Sequence, residues 1–336
     1  MSAAAPVLVE VTRGDLVESR HRGAFAVSDA GGRIRWSEGD IARPIYARSA
    51  IKPLQALPLI ESGAAAAFGC SPAEIALACA SHDGEPVHTA AVSAWLARLG
   101  LGVDALECGS HAPYDPTAAA GLIRRNEAPC PLHNNCSGKH AGFLTLARRL
   151  GVDHRGYIGY AHPVQQATFR VLEEMAGLDL QDAPRGIDGC GIPQLGLPLR
   201  GLARAMARMA DPSDQTPARA AACRTVREAM AAHPVMVAGH NRFCTRVIAA
   251  AGGDVLVKTG AEGVFCAFAP ARGLGIALKI EDGATRASEV ALLALLHRLD
   301  LLPEGAAAVL APLARPAILN RAGRQVGEIR PAGALA

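Results

Sequence analysis

Strand-like patterns at both ends of the chain, with helical patterns between them, constrain the fold most strongly. The segment VLVEVTRGDLVES, residues 7–19, alternates apolar and polar residues as a half-buried strand does. Residues 254–283 contain three further strand patterns, DVLVKTG, GVFCAFAP and GLGIALKIEDG. Strands from the two ends of a chain often join one sheet. The pattern therefore predicts a mixed α/β (α+β) fold, with an antiparallel sheet built from N- and C-terminal strands.

The middle of the chain is predicted to be helical. SPAEIALACASHDGEP begins with Ser71 and has Glu74 three residues later, which is the signature of a capping box. GKHAGFLTLARRLG and PVQQATFRVLEEMAGL have apolar residues at helical spacing. No repeat or linker-like segment interrupts the chain, so we expect a single domain over residues 1–336. Its C-terminal part, from about residue 315, is predicted to form a short strand pair and a loose tail.

Composition excludes several classes of function. The net charge is +3, no basic tract is present and aromatic residues make up 4%, which argues against a nucleic-acid partner. No apolar stretch has the length of a membrane span. The N-terminal segment lacks the pattern of a signal peptide, so a cytoplasmic location is expected. The nine cysteines are scattered and odd in number, which favours free thiols over disulfides.

The segment RSAIKP contains Ser49 and Lys52, three positions apart. Lys52 is either a solvated lysine on an exposed helix face or a partly desolvated amine that acts as a base for a serine. The spacing alone does not decide between the two, because chance often produces it.

Two further segments strengthen the chemical interpretation. ASHDGEP places Ser81 in a turn-rich segment after a helix, and VKTGAEG places Lys258 at the end of a strand. The order Ser-x-x-Lys, serine loop, Lys-Thr-Gly is that of serine β-lactamases and penicillin-binding proteins, although the second element here is Ser-His-Asp. Two couples, Ser49–Lys52 and Ser81–Lys258, would suit acyl transfer from an ester, lactam or amide.

A second group of polar residues lies in two Gly-rich or polar loops. LHNNCSGKHAGF contains Cys136, Lys139 and His140, and GIDGCGIPQ contains Asp188 and Cys190. The two thiols bind zinc, supply a nucleophile, or are buried thiols in tight turns. Without a C-x-x-C pair, the spacing leaves all three interpretations open.

Long segments of the chain resemble the rhizobial-type L-asparaginases, the asparaginase II family. The resemblance includes ARSAIKPLQALP, ASHDGEPVHTAAV, CGSHAPYD, LHNNCSGKHAGFL, GYIGYAHPVQQ, GIDGCGIP and VKTGAEGVFCAF, and covers about residues 7–300. It implies a fold similar to serine β-lactamases and glutaminases. It also implies a homodimer that hydrolyses L-asparagine to L-aspartate and ammonia.

The resemblance also assigns roles to residues. It implies that the catalytic residues are Ser49, Lys52, Ser81 and Lys258, that Arg48, His140 and Asp188 line the substrate site, and that Cys136, Lys139 and Cys190 bind one zinc ion. Lys139 would have to be neutral to bind the metal. Arg48 would pair with the substrate carboxylate and Asp188 would hold its ammonium group.

Other functions on the same scaffold stay open at this point. A glutaminase differs by one methylene in its substrate, which binding alone discriminates by roughly 1–3 kcal/mol. An esterase or a β-lactam hydrolase would use the same serines, although β-lactams are met mainly outside the cytoplasm. A sensor that binds asparagine without turnover is a further alternative, against which the intact serines and lysines argue.

Overall fold

A computed structural model describes residues 5–336 of the chain. Its strands are β1 (Val7–Arg13), β2 (Leu16–Asp29), β3 (Ile34–Glu38), β4 (Pro44–Tyr46), β5 (Arg185–Ile187), β6 (Pro193–Pro198), β7 (Leu256–Thr259), β8 (Val264–Ala269), β9 (Leu274–Ile280), β10 (Ala317–Leu319) and β11 (Gln325–Pro331).

The α-helices are α1 (Lys52–Gln55), α2 (Leu57–Glu61), α3 (Ala64–Ala67), α4 (Pro72–Ala78), α5 (Pro86–Arg98), α6 (Pro116–Arg124), α7 (Ser137–Leu150), α8 (Pro163–Ala176), α9 (Leu199–Ala210), α10 (Pro217–Ala232), α11 (Pro234–Val237), α12 (Phe243–Ala250), α13 (Thr285–Arg298) and α14 (Ala306–Ala314). Among the helices of residues 5–336, none combines the length and apolar character that a membrane crossing requires.

The chain divides into two compact units. Unit 1 comprises the N-terminal segment up to Ala50, Leu197–Asp214 and Arg246–Ala336. Unit 2 comprises Ile51–Gly196 and Gln215–Thr245. The assignment of one domain to residues 1–336 stays a prediction.

Unit 1 is built on one antiparallel sheet. Its strand order is β10-β11-β1-β2-β9-β8-β7, and β3 pairs with β2. β2 pairs with β9 from Gly23↔Ile280 to Asp29↔Leu274, which joins the N-terminal strands to the C-terminal ones. The predicted α/β fold, with an antiparallel sheet made from both ends of the chain, is therefore confirmed.

A glycine lets helix α9 approach this sheet closely. A Cβ atom added to Gly275 of β9 would lie 2.0 Å from the backbone nitrogen of Ala207 in α9 and 2.3 Å from the carbonyl oxygen of Ala203. No side chain fits in that space, so glycine is required where the helix packs on the strand. Helix α9 therefore packs directly on strand β9 in the core of unit 1.

The C-terminal end differs from the sequence-based expectation. The predicted strand pair is present as β10 and β11, but the segment is not loose. β11 also pairs with β1, with Val9 opposite Pro331 and Val11 opposite Ile329, and the following Leu335 is only 2% exposed. The edge of β1 offers unpaired backbone groups, which β11 satisfies.

Unit 2 is mainly helical. The predicted capping box begins α4: the Glu74 backbone N–H donates to Ser71 Oγ, and the Ser71 N–H donates to Glu74 Oε2. A Cβ atom on Gly138 would lie 2.4 Å from the carbonyl oxygen of Leu77, so α7 begins in direct contact with the end of α4. The loop after α4 and the first turn of α7 are therefore held side by side.

Candidate functional site

Lys52 lies at the start of α1 and is completely buried. Its ammonium nitrogen lies 3.1 Å from Ser81 Oγ and 3.2 Å from Cys136 Sγ, and it also donates to the carbonyl oxygen of Ala80. A buried amine requires such partners, because an unpaired charge is strongly disfavoured away from water. The interpretation of Lys52 as a solvated surface lysine is wrong.

Lys52 contacts one of the two predicted serines within unit 2. The motif order suggested the couples Ser49–Lys52 and Ser81–Lys258, and the structure places Lys52 Nζ within hydrogen-bond distance of Ser81 Oγ. The two predicted couples stay predictions. Ser81 is 5% exposed, and its backbone N–H donates to the carbonyl oxygen of Val237 at 3.0 Å. Unit 2 therefore contains a buried serine–lysine contact.

The three predicted zinc ligands lie together in the same unit. Lys139 Nζ donates to Cys190 Sγ at 3.0 Å, and Cys190 is close enough to Cys136 to affect the pKa of its thiol. All three residues are at most 4% exposed. The two loops that carry these residues, around positions 136–140 and 188–192, thus meet in the fold.

The charges of this cluster depend on one another. Interaction with the Cys190 thiol, assisted by the charges of Lys139 and Lys52, lowers the pKa of Cys136 well below its usual range despite burial. The same interaction, together with burial, raises the pKa of Cys190. Burial opposes the charge on Lys139, but Cys136, Cys190 and Asp188 outweigh it and raise the pKa of the amine. The lowered pKa of Cys136 favours its thiolate form, and the raised pKa of Lys139 favours its ammonium form.

The donor set of this cluster suits a metal ion of the zinc type. Within residues 5–336, no group of three or more His, Cys, Asp or Glu side chains is placed to hold a metal, so the amine of Lys139 would be the third protein donor. Thiolates are preferred zinc ligands, and binding would release the protons of Cys190 and Lys139. A dication would take the place of the Lys139 ammonium charge beside the two sulfur atoms.

His140 is completely buried beside this cluster. Its Nδ1 lies 2.6 Å from the hydroxyl oxygen of Tyr157, which also accepts a hydrogen bond of 2.9 Å from the backbone N–H of Glu107. Burial, reinforced by the charges of Lys139 and Lys52, holds the pKa of His140 well below its usual range. The imidazole is therefore neutral at physiological pH.

Asp188 lies in the tight turn that precedes Cys190. Its Oδ1 accepts from the N–H of Gly189 at 2.8 Å, and Gln194 Nε2 donates to its Oδ2 at 3.4 Å. The Asp188 carboxylate is thus oriented by a backbone turn and by a buried amide. Lys139 is close enough for Asp188 to contribute to its raised pKa.

Arg48, Ser49 and Lys258 belong to unit 1. Ser49 lies in the 3-10 turn Arg48–Ile51, which begins with Arg48 at a φ of +53°. Few residues other than glycine adopt this left-handed conformation, which costs about 1–3 kcal/mol and is often found at functional sites. Lys258 is 1% exposed, and its ammonium donates to the carbonyl oxygen of Thr259 at 2.7 Å.

Gly260 connects the predicted Lys-Thr-Gly motif to the serine turn. A Cβ atom on Gly260 would lie 2.8 Å from the carbonyl oxygen of Ala47 and 3.2 Å from the backbone nitrogen of Ala50. The end of β7 therefore packs against the backbone that flanks Ser49. The segment that contains Lys-Thr-Gly is thus in contact with the turn that contains Ser49.

Three residues beside the site were not predicted as site residues. Tyr157 and Gln194 orient His140 and Asp188, and His82 donates from Nε2 to Ser137 Oγ at 2.9 Å. Each lies in or next to a segment that carries the family resemblance, so the sequence contained a signal for all three. Their roles depend on side-chain contacts that no spacing rule reveals.

Comparisons with known proteins give one family. The sequence model of the family described as L-asparaginase II matches residues 9–331, which agrees with the resemblance found in the sequence. No curated protein sequence matches the chain significantly.

Three solved structures that match the chain have 12–16% sequence identity to it. A β-lactamase from Mycobacterium bovis has 16% identity over 87% of this chain and 95% of its own, with a TM-score of 0.37. A class C β-lactamase from Rhodobacter sphaeroides has 13% identity over 82% of this chain and 95% of its own, with a TM-score of 0.43. The D-alanine carboxypeptidase AmpC from Burkholderia cenocepacia has 12% identity over 82% of this chain and 93% of its own, with a TM-score of 0.42. With TM-scores below 0.5, no residue role is transferred from these proteins.

Proposed function

Because the chain belongs to the L-asparaginase II family, whose sequence model matches residues 9–331, we propose that it hydrolyses L-asparagine to L-aspartate and ammonia through a serine acyl-enzyme. The observation that carries this proposal is the buried contact of 3.1 Å between Lys52 Nζ and Ser81 Oγ. An amine at that distance can accept or pass on a hydroxyl proton, which is what a weak serine nucleophile requires.

In the proposed reaction, Ser49 Oγ attacks the carbon of the side-chain amide and a C–O bond forms. The serine proton passes to a neutral lysine amine, Lys52 or Lys258, with Ser81 as a relay. The C–N bond then breaks, and the nitrogen takes up the proton and leaves as ammonia. Water attacks the resulting ester, which restores the serine and releases L-aspartate.

The remaining predicted residues would bind the two charged groups of the amino acid. The guanidinium of Arg48 suits a bidentate contact with the α-carboxylate. The carboxylate of Asp188, already oriented by Gly189 and Gln194, suits the α-ammonium group. His140 would line the same site. Two charged contacts at opposite ends of the substrate would fix its side-chain amide for attack.

Cys136, Lys139 and Cys190 are proposed to hold one zinc ion. When bound, the ion would supply a positive charge that orients or polarises the polar groups of the substrate. The serines and lysines supply the nucleophile and the bases, so metal removal should raise KM more than it lowers kcat.

Metal analysis and chelation test this assignment. Purified protein should contain about one equivalent of zinc, and chelation should raise KM reversibly. Less than about a tenth of an equivalent in a fully active preparation that added zinc leaves unchanged would contradict the assignment. The double variant Cys136→Ser with Cys190→Ser should lose the metal. If it keeps both metal and KM, the cysteines are structural thiols.

The family resemblance also implies a homodimer. Light scattering coupled to size-exclusion chromatography should give twice the chain mass of 34.7 kDa. A mass of one chain at micromolar concentration would contradict this part of the proposal.

Ammonia release from L-asparagine and from L-glutamine tests the activity. We expect turnover of L-asparagine that is lost in Ser49→Ala. Turnover of L-glutamine alone would make the protein a different amidohydrolase. Calorimetric binding of L-asparagine without any ammonia would make it a sensor and would overturn the proposal.

A further inference from the structure

The hydrogen bonds around Tyr157 determine which nitrogen of His140 carries a proton. The backbone N–H of Glu107 is only a donor, so the Tyr157 hydroxyl oxygen accepts that bond of 2.9 Å. Tyr157 is completely buried, and a hydroxyl hydrogen without an acceptor is strongly disfavoured there. The acceptor at hand is His140 Nδ1, 2.6 Å from the hydroxyl oxygen. The hydroxyl therefore donates to Nδ1.

When the Tyr157 hydroxyl donates to Nδ1, the other ring nitrogen of His140, Nε2, carries an N–H without a partner. Because Nδ1 accepts this hydrogen bond, the hydrogen of the ring lies on Nε2. Within residues 5–336, Nε2 has no hydrogen-bond partner, although its surroundings are closed to water. Such orphaned donors are rare in folded proteins and call for a ligand or another specific role.

The surroundings hold the ring firmly in place. The rings of His140 and Tyr157 meet edge to face, with centroids 5.4 Å apart, and Phe143 lies on another side at 5.9 Å. Gln165 Nε2 donates to the Tyr157 carbonyl oxygen at 2.9 Å, which anchors the tyrosine itself. The ring thus has little freedom to turn its Nε2–H towards another partner.

We propose that the Tyr157 hydroxyl fixes His140 as the Nε2–H tautomer, so that this buried N–H donates a hydrogen bond to an oxygen atom of the bound substrate. Tyr157 is then a positioning residue that acts through His140. A neutral donor favours an oxygen acceptor over the substrate ammonium group, and the nearby Lys139 and Lys52 favour an oxygen that carries negative charge. The substrate half of this inference depends on the proposed function, whereas the tautomer half does not.

Nitrogen-15 NMR of histidine-labelled protein tests the tautomer directly. In the wild type, the His140 signals, assigned by their loss in His140→Gln, should be those of a protonated Nε2 and an unprotonated Nδ1 at pH 7. Addition of L-aspartate, the proposed product, should shift the Nε2 resonance. A protonated Nδ1 would overturn the proposal, as would an Nε2 resonance that saturating L-aspartate leaves unchanged. These measurements need no turnover, so they separate this inference from a failure of the proposed activity.

The variant Tyr157→Phe tests the positioning role, and Tyr160→Phe is the matched control on the same segment. Tyr157→Phe should shift the His140 ring towards a mixture of tautomers and lower kcat/KM by about tenfold, the value of one hydrogen bond. An effect on KM would identify the acceptor as the carboxylate, and an effect on kcat would identify the developing oxyanion. Tyr160→Phe should leave kcat/KM within about twofold. If Tyr157→Phe retains both the wild-type tautomer and the wild-type kcat/KM, the inference is wrong.

Discussion

The two predicted catalytic serines are held in different ways. Ser49 is half-buried in a turn of unit 1 that begins with Arg48 in a left-handed conformation. Ser81 is buried in unit 2, with its hydroxyl at 3.1 Å from Lys52 and its backbone bonded to Val237. One hydroxyl is presented by a strained backbone, and the other is fixed by a buried amine.

This difference indicates a division of roles between the serines. Strain of about 1–3 kcal/mol is retained where the surrounding structure requires one conformation, and it is typical of residues that meet a substrate. A hydroxyl held against a buried lysine amine is instead placed to pass a proton when the amine is neutral. The difference supports the proposal that Ser49 attacks the substrate and that Ser81 relays the proton.

Removal of the two hydroxyl groups is the strongest test of this comparison. Ser49→Ala should lower kcat by about 10⁴-fold or more, because loss of a nucleophile leaves little besides substrate binding. Ser81→Ala should lower it by only about a hundredfold, since water can replace a relay. Steady-state ammonia release gives both values, with circular dichroism as the check on folding. If Ser49→Ala keeps more than about a tenth of kcat, the assignments are reversed or wrong.

Lys52→Arg should have the second largest effect, a loss of about 10³-fold in kcat. A guanidinium stays protonated at all accessible pH values and cannot act as a base, and it is bulkier than the buried amine that it replaces. The matched control is Lys279→Arg. Lys279 is a partly buried lysine of unit 1 that donates to the carbonyl oxygen of Glu262. Near-normal kcat in Lys52→Arg would show that the Ser81 contact is structural. A wild-type activity plateau already reached near pH 5 would also contradict a lysine base.

The sequence predicted elements better than it predicted contacts. The strands near residues 256–280, the capping box at Ser71 and the helix Pro163–Ala176 all follow local patterns, and all are present. The contact between Lys52 and Ser81 was not predictable, because it arises only when the fold brings the start of α1 to the loop after α4. Motif order alone suggested the couple Ser49–Lys52, which stays a prediction.

The same limit applies to the residues that orient the site. Glu107, Tyr157 and His140 lie in separate segments, and their chain of hydrogen bonds arises only when the fold brings them together. The C-terminal strand β11 was missed as a partner of β1 for the same reason, since strand pairing over some 320 residues leaves no local signal. Helices, strands and caps can be predicted from local sequence patterns, whereas contacts between distant segments cannot.

Gly260→Ala tests whether the turn of Ser49 depends on its contact with β7. The new methyl group would lie 2.8 Å from the carbonyl oxygen of Ala47, so the turn would have to shift. A displacement of this kind should lower kcat by about tenfold, with a smaller change in KM. Gly31→Ala is the matched control in the same unit, because its nearest neighbour, Asp29 Oδ1, would be 3.4 Å away. Equal activities of the two variants would mean that the contact does not position Ser49.

Acid should loosen the segment of Ser81 more than that of Ser49, and this is the smallest expected effect. His82 Nδ1 accepts from the N–H of Gly84 at 3.1 Å, so its Nε2–H donates to Ser137. Burial, and then the charges of His88 and Lys52, hold the pKa of His82 well below the usual 6.5. Below pH 6.5 the unfolded histidine binds a proton that the folded one does not. The free energy of unfolding therefore falls as the pH decreases below about 6.5.

Hydrogen exchange at pH 7.0 and 5.5, corrected for intrinsic rates, measures this difference between the two segments. The backbone amides of residues 81–84 should lose protection in acid while those of residues 48–51 keep theirs. His82→Asn keeps an acceptor near the Nδ1 position but does not titrate, so its protection at residues 81–84 should no longer depend on pH over this range. Equal acid sensitivity of both segments in the wild type would mean that His82 does not control the Ser81 turn. The left-handed backbone at Arg48 would then be the one remaining difference between the ways in which Ser49 and Ser81 are held.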